Sequence, residues 1–340
     1  MRVKLKIFLL LLILIVVYFI YPRVSDKLIY IPPSSDKYAF ESIEFQDTPI
    51  SSVDYIILSF LGAKEGWVRV EPNTNMFNLY NKILQNKREK TRKMVMYGGE
   101  SIDSFLEKIS KQAKLDKRKL LEKYNQIAFY KEGDIVARKY NIPFNTTESS
   151  TIAYMVYKGH SIYRDLLNKK DIKLPSKEFK KNLTIASIIE KETQKYKEMP
   201  LISAVIYNRL KKDMKLQLDA TLNYGKMAHT IITPKIIRKD KSKYNTYKHK
   251  GLPPEPICSP STVAFKAALN PADKEYLYFV KKGSGHTFSK DYKEHTKKVV
   301  LYKNNLKKSR RKRVYRLINR WVKINFPTPY PKFNFYLSIK

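Results

Sequence analysis

Apolar positions divide the chain into a long uncharged run at the amino end and short, mixed strand and helix patterns elsewhere. The run Ile7–Tyr21 carries no charge. As a helix it is about 22 Å long, short of a roughly 30 Å hydrocarbon core, but flanking residues extend it. The segment YPRVSDK that follows lacks the small residues of a signal-peptide cleavage site. The pattern therefore predicts an uncleaved membrane anchor at residues 7–22.

Basic residues set the expected orientation of this anchor. Arg2, Lys4 and Lys6 precede the run, and positively charged flanks stay in the cytoplasm. We therefore expect residues 1–6 in the cytoplasm and the rest of the chain on the far side of the membrane. This orientation argues against cytoplasmic nucleic acid as a partner.

Between residues 23 and 175 the patterns are short and alternate between strand and helix. Strand-like runs are predicted at Leu28–Pro33, Ala39–Phe45, Trp67–Val70, Lys93–Tyr97 and Thr151–Tyr157. Helices are predicted to follow Asn75 and Ser101 and to cover Lys114–Phe129 and His160–Lys169. These repeats predict an α+β region at 23–115 and a connecting region at 116–175.

The clearest helical pattern lies in the stretch Leu183–Asn223 and contains an acid at the end of an apolar face. The residues that share this face, at spacings of three, four and seven, are Ile185, Ile188, Ile189 and Glu192. Desolvation there raises the pKa of a carboxyl, which keeps a general acid protonated near neutral pH. Glu190 lies about 200° round the helix, so we expect it in solvent. The alternative is that Glu192 is neutralised by a buried partner such as Arg209.

Further elements follow this stretch. Pro200 starts a second helix, LISAVIYNRLKK, and Ser261 opens another, TVAFKAALNP. Tyr276–Val280 predicts a strand, and a glycine-rich turn follows at 282–288. That turn matches neither GxxxxGK[ST] nor GxGxxG, so no nucleotide cradle is predicted. Residues 176–306 are therefore predicted to form a helix-rich α+β domain.

The chain carries a net charge of +36 and a single cysteine, Cys258. Lysine is spread over nearly the whole chain, which favours solvated basic surfaces over a polyanion site. A dense basic block occurs only at 303–316, at the start of a basic and aromatic tail (307–340) for which anionic lipid or a protein is a candidate partner. One cysteine excludes an intrachain disulfide, and the histidines show no ligand spacing, so neither a metal site nor a cofactor is predicted.

Seven motifs over residues 180–300 resemble the MltG/YceG-like endolytic murein transglycosylases in order and spacing. They are ASIIEKET (186–193), YNRL (207–210), LQLDAT (216–221), YNTY (244–247), GLPPEPI (251–257), YLYFV (276–280) and GHTF (285–288). Residues 60–110 more weakly resemble the LysM-like subdomain of that family. The resemblance implies an α+β protein with an amino-terminal transmembrane helix, a small LysM-like part and a larger catalytic domain.

The resemblance also implies an activity. It predicts a single-pass inner-membrane lytic transglycosylase whose catalytic domain faces the periplasm. Such an enzyme cuts the β-1,4 bond after N-acetylmuramic acid in nascent glycan strands, leaves 1,6-anhydro ends and uses no water. Its catalytic acid corresponds to Glu192. The candidate substrate-binding residues are Asn208, Arg209, Gln217, Asp219, Tyr247 and His286. Glycan strands, the membrane and peptidoglycan synthases are the implied partners.

The sequence departs from the family pattern at two places, and other functions stay open. Where the family shows Asp-Thr-Tyr after Glu-Gly, this chain has Arg138-Lys139-Tyr140 after Glu132-Gly133, and Asp219-Ala220-Thr221 replaces Asp-Pro-Thr. One alternative is a non-catalytic peptidoglycan-binding scaffold of the synthesis machinery, against which the EKET motif argues. Another is a hydrolytic muramidase that uses Asp219 as a second carboxylate.

Overall fold

The chain forms helices and two-stranded ribbons, and six consecutive helices precede the last ribbon of the described residues. The structure is a computed structural model that describes residues 2–23, 27–33, 39–46, 48–85, 89–168, 170–225 and 230–325. The chain divides into two units, Met1–Asp273 and Lys274–Lys340. The helices of the first unit are α1 (Arg2–Ile20), α2 (Ala39–Phe45), α3 (Ser52–Phe60), α4 (Met76–Gln85), α5 (Ile102–Ala113), α6 (Lys117–Ile127), α7 (Glu148–Leu167), α8 (Lys177–Glu192), α9 (Met199–Lys211), α10 (Asp219–Leu222), α11 (Pro234–Lys239) and α12 (Thr262–Leu269).

The strands pair as antiparallel ribbons. Those of the first unit are β1 (Pro22–Arg23), β2 (Lys27–Ile31), β3 (Gly66–Val70), β4 (Thr74–Asn75), β5 (Thr91–Val95) and β6 (Lys139–Pro143). The second unit holds β7 (Tyr278–Lys282), β8 (Gly285–Ser289) and the helix α13 (Tyr292–Asn325). Within the described residues the pairs are β1–β4, β2–β3, β5–β6 and β7–β8. The predicted α+β class is therefore confirmed.

The first hydrophobic core lies on the β2–β3 ribbon. Ile29 and Val68 of the two strands pack with Leu58 of α3 and Leu79 of α4, and all four are buried. α3 starts with a capping box in which Ser51 and Asp54 bond each other's backbone N–H. Local capping and the apolar ribbon face together fix these helices on the sheet.

The uncharged run at the amino end forms α1. Its side chains are exposed from Lys6 to Tyr18, while the Phe19 ring meets the Tyr80 ring at 5.5 Å between centroids. Among the described residues, no helix is both long and apolar enough to cross a membrane. The anchor predicted at residues 7–22 is therefore not confirmed.

A second core lies on the β5–β6 ribbon. Phe105 of α5, Tyr124 of α6 and Met155 of α7 are buried against Tyr140 of β6. Ser101 caps α5 as predicted, because its hydroxyl accepts the backbone N–H of Ser104.

Two predicted strands are helices in the structure. Ala39–Phe45 forms α2, since Ala39, Ser42 and Ile43 are buried together at helical spacing. Residues 151–157 belong to the single helix α7, which starts at the Thr147 cap and continues through the predicted helix at 160. The β-branched and aromatic residues of this segment suggested a strand, but burial on several sides of one helix also selects such residues.

α7, α8 and α12 pack on one another through aromatic rings. The Tyr163 ring lies 5.3 Å from the Phe179 ring and 4.6 Å from the Phe265 ring, measured between centroids. The predicted helix starts are confirmed, because Ser261 caps α12 and Pro200 stands in the first turn of α9. α8 begins at the Ser176 cap. α8 is thereby held as the central helix that carries the EKET motif.

Several predicted boundaries stay predictions. They are the divisions after residues 115, 175 and 306 and the LysM-like assignment. Of the predicted tail 307–340, residues 307–325 continue α13 as helix, and residues 326–340 lie outside the described residues.

Candidate active site

Glu192 is the last residue of α8, where the helix ends at the Thr193 cap. The side chain is half-buried, and its carboxylate accepts a hydrogen bond from the backbone N–H of Ala220. Burial raises the pKa of Glu192 to about 7, and the negative charge of Asp219 acts in the same direction, whereas the Ala220 N–H acts against it. A carboxyl with this pKa is protonated for part of the time at neutral pH and can both give and take a proton.

Asp219 and Tyr247 form a hydrogen-bonded pair at the same site. The Tyr247 hydroxyl donates to Oδ1 of Asp219 at 2.7 Å. Burial raises the pKa of Tyr247, with further contributions from Asp219 and Glu192. Asp219 is exposed and Tyr247 half-buried. The site therefore offers an acid, a carboxylate and an aromatic ring to a molecule arriving from solvent.

Buried hydroxyl groups fix the segment that presents Asp219 and Ala220. The Thr246 hydroxyl accepts the backbone N–H of Leu218 at 3.1 Å and lies 2.9 Å from the Thr221 hydroxyl. The backbone carbonyl of Thr246 accepts the N–H of Gln217 at 3.1 Å. Both threonines are almost fully buried. The LQLDAT and YNTY motifs are thus bonded to each other, although 28 residues separate Asp219 from Tyr247.

We expect Thr246→Val to weaken both the fold and the site. Valine keeps the shape but leaves the Leu218 N–H without its acceptor, which costs about 1–3 kcal/mol of unfolding free energy. Thr246→Ser retains the hydroxyl and is the matched control. Chemical denaturation measures the difference, and equal stabilities for the Val and Ser variants would contradict the role of the hydroxyl.

The other predicted site residues stand on α9, on the segment before Asp219 and on the β7–β8 ribbon. Arg209 is buried on α9, and its Nη1 donates to the carbonyls of Leu216 at 2.8 Å and Lys215 at 3.1 Å. It therefore supports the segment that leads to Asp219. Gln217 is exposed in that segment with a φ of 52°, and Asn208 is half-buried beside Arg209.

His286 belongs to the second unit. It pairs in register with Lys281 across the β7–β8 ribbon, and its ring meets the Phe279 ring at 5.3 Å between centroids. The structure thus brings Glu192, Asp219 and Tyr247 together, with Arg209 and Gln217 in the supporting segment. The substrate-binding roles of these residues stay predictions.

The sequence did not reveal that a further acid, Glu132, is buried. Its Oε2 accepts the backbone N–H of Ile102 at 2.8 Å, at the start of α5. Burial raises the pKa of Glu132 to about 8, while the charge of Lys191 lowers it. The sequence Glu132-Gly133-Asp134 is typical of a turn, and turn residues are normally exposed. The apolar residues directly after Asp134, Ile135 and Val136, were the sign in the sequence that this segment is buried.

The prediction that Glu190 lies in solvent is wrong. Its Oε2 accepts the backbone N–H of Ser261 at 2.9 Å and the Ser261 hydroxyl at 2.6 Å. The carboxylate therefore lies at the start of α12, where a negative charge is favourable. The face argument failed because α8 packs on neighbouring elements on several sides, and Leu183–Ile189 is entirely buried.

Fold and site together define the class of protein. A helix-rich α+β unit presents Glu192, a carboxyl of raised pKa, beside a tyrosine–aspartate pair, and such a group can give or take a proton. The model of the YceG-like family matches residues 43–300, and the chain therefore belongs to the YceG-like family. The resemblance found in the sequence motifs is confirmed.

Individual relatives show how far the similarity extends. An endolytic murein transglycosylase of Bacillus subtilis (strain 168) is 37% identical over 167 residues, which cover 47% of this chain and 45% of the relative. One from Streptococcus pneumoniae (strain R6) is 36% identical over 157 residues, which cover 44% of this chain and 28% of the relative. The chain thus spans less than half the length of these relatives.

A solved structure matches over a longer stretch. The crystal structure of a putative YceG-like protein from Listeria monocytogenes is 29% identical and covers 79% of this chain and 97% of its own, with a TM-score of 0.52. This similarity supports the fold assignment.

Proposed function

We propose that the protein is an endolytic peptidoglycan lytic transglycosylase. It cleaves the MurNAc-β-1,4-GlcNAc bond of nascent glycan strands, leaves 1,6-anhydro-MurNAc ends and thereby terminates polymerisation. The observation that carries this proposal is Glu192, an acid of raised pKa at the end of a buried helix. The names of the curated relatives support murein as the substrate.

One acid is sufficient for this chemistry. Protonated Glu192 gives its proton to the glycosidic oxygen as the bond from C1 of MurNAc to that oxygen breaks, and the GlcNAc hydroxyl leaves. The 6-hydroxyl of the same MurNAc then attacks C1, and the carboxylate of Glu192 takes the hydroxyl proton. The acid is regenerated, and no water enters. Two-carboxylate glycosidases differ, because their second group is a nucleophile or activates water.

The residues around Glu192 supply contacts for a sugar. Asp219 is an exposed acceptor for hydroxyl groups and is oriented by the Tyr247 hydroxyl. Part of the Tyr247 ring is open to solvent, and an aromatic face is a suitable surface for a sugar ring. In this proposal both residues position the MurNAc unit, and Arg209 acts by holding their segment.

We expect activity to fall as the pH rises through about 7, because Glu192 then loses the proton it must donate. Asp219 raises this pKa, so Asp219→Asn is expected to move the fall in kcat/KM to lower pH. Asp213→Asn removes another exposed carboxylate and should leave the midpoint unchanged. A pH profile of glycan cleavage measures both, and an unmoved midpoint in Asp219→Asn would show that its charge does not act on the acid.

A hydrolytic muramidase is the second candidate, because Asp219 lies close enough to Glu192 to influence its pKa. The two reactions give different ends. A lytic transglycosylase gives anhydro ends and a hydrolase gives reducing ends, which differ by one water. Mass spectrometry of fragments from freshly polymerised, uncrosslinked glycan decides between them, and reducing ends would overturn the lytic proposal.

We further propose that residues 7–22 attach the enzyme to the cell membrane, with the site on the extracytoplasmic side near peptidoglycan synthases. The exposed apolar side chains of α1 support this, since such a surface requires a lipid or protein cover. Release of the full chain from membranes by an alkaline carbonate wash would contradict the attachment.

A further inference from the structure

The second unit contains a cavity between its β-ribbon and its helix. The cavity has a volume of about 540 Å³. Its lining combines cationic and apolar side chains, chiefly Lys281, Lys282, Lys298, Leu301, Tyr302 and Leu306. This combination suits a ligand that has both an anionic and an apolar part.

The lysines of this cavity differ in their contacts. Lys298 is held in place, because its Nζ donates to the carbonyl of Phe288 at 2.7 Å and pairs with Glu294. Lys281 and Lys282 are exposed at the end of β7. In the described part of the chain neither of these two has a carboxylate partner, unlike Lys290 and Lys298 of the same unit. Two cations are therefore available to an external anion.

The apolar part of the lining is also open. Leu301 is 58% exposed and Leu306 is 40% exposed. Both stand on α13 among basic residues, and Lys303 and Lys307 alongside them are exposed as well. Exposed leucines beside unpaired lysines on one helix are typical of segments that lie on a membrane surface.

Basic residues recur along the whole of α13. Over Tyr292–Asn325 there are thirteen lysines and arginines and one acid, Glu294. The family match ends at residue 300, so most of these charges lie beyond the part shared with the family. The basic stretch is therefore a feature separate from the site around Glu192.

We propose that this surface, Lys281 and Lys282 with residues 298–307 of α13, docks on membranes that contain anionic phospholipid. The lipid phosphates pair with Lys281 and Lys282, and the region below the headgroups covers Leu301 and Leu306. A nucleic acid would neutralise the lysines but leave the leucines in water, whereas a lipid surface satisfies both. The proposal does not depend on the reaction at Glu192.

The test places an environment-sensitive fluorophore at the cavity in the full chain. Asn305 is exposed at its lining, and Asn305→Cys gives a labelling site because the native Cys258 is buried. The labelled protein is reconstituted into vesicles of phosphatidylcholine, with and without phosphatidylglycerol. Any insertion of α1 occurs in both kinds of vesicle. A difference in emission between them therefore reports the binding of the second unit to the anionic lipid.

We expect a blue shift that requires phosphatidylglycerol and disappears in about 1 M NaCl, where the Debye length is about 3 Å. Lys281→Ser with Lys282→Ser should weaken docking by about 25-fold, since each lysine near an anionic surface contributes about fivefold, or about 1 kcal/mol. Lys239→Ser with Lys241→Ser removes the same charge from exposed positions of the first unit and should have little effect.

Three results would overturn the proposal. Equal emission in the two kinds of vesicle would show that anionic lipid is not recognised. Equal losses in the two double variants would show that only the net charge of the protein matters. A larger shift with duplex DNA than with anionic vesicles would identify a nucleic acid as the preferred partner.

Discussion

Replacing Glu192 by glutamine is expected to eliminate almost all formation of anhydro-ended glycan fragments. Glutamine has the same shape but cannot give a proton to the leaving oxygen or take one from the 6-hydroxyl. General acid–base groups contribute about 10²–10⁴-fold to rate, and because Glu192 serves in both steps we expect a loss near the upper end. Digestion of freshly polymerised glycan, read by mass spectrometry, measures this loss.

The fold of the Glu192→Gln variant should be intact. The glutamine carbonyl can still accept the Ala220 N–H. The pKa of Glu192 is about 7 in the folded protein, against an ordinary value of 4.5. The wild type therefore loses stability as the pH rises through this interval and the buried carboxyl ionises. Glutamine removes that loss, so above pH 7 the variant should be at least as stable as the wild type.

A second variant tests whether the loss of activity is specific to Glu192 or follows the removal of any carboxylate from α8. Glu178→Gln removes an exposed acid from the first turn of the same helix and should retain full activity. Unchanged anhydro-ended products in Glu192→Gln would exclude this residue as the acid. If neither variant nor the wild type gave products, the non-catalytic scaffold would be favoured.

The sequence predicted those features that depend on neighbours along the chain. Ser101 and Ser261 were expected to start helices, and each does, because an N-cap needs only the backbone N–H groups of the next turn. Glu192 was placed at the end of an apolar helix face by spacing alone, and its raised pKa agrees with that position.

The features that were missed depend on residues distant in sequence. Glu190 was expected in solvent, yet it meets Ser261, which is 71 residues away. Glu132 stands in a turn-like sequence, yet it is buried because the start of α5 and Leu183 of α8 pack against residues 132–133. Periodicity indicates which faces are apolar, but it does not show how many sides of a helix are covered.

The close packing of α7 on the segment at Asp134 makes Gly159 the position where we expect an added methyl group to destabilise the fold most. A Cβ built there would lie 2.0 Å from the backbone carbonyl oxygen of Asp134. That segment cannot move easily, because the Asp134 carboxylate accepts the N–H groups of Phe129 at 3.1 Å and Tyr130 at 2.9 Å and lies 2.6 Å from Nε2 of His160.

We expect Gly159→Ala to lower the free energy of unfolding by about 3 kcal/mol, at the upper end of the usual cost of overpacking. This loss should appear even though alanine favours a helix over glycine by about 1 kcal/mol. Thermal and chemical denaturation measure it. Gly98→Ala is the matched control, since its Cβ would meet Oε1 of Glu190 at 2.1 Å, the end of a side chain that can rotate.

The comparison of these two glycines tests what holds Glu132 and Glu190 in place. If the backbone at Asp134 is rigid, Gly159→Ala costs much more stability than Gly98→Ala, and the Gly98 variant loses mainly the bond from Glu190 to the start of α12. Equal, small losses would show that residues 133–136 yield to a methyl group. The buried position of Glu132 would then depend on its bond to Ile102 more than on the packing of α7 against Asp134.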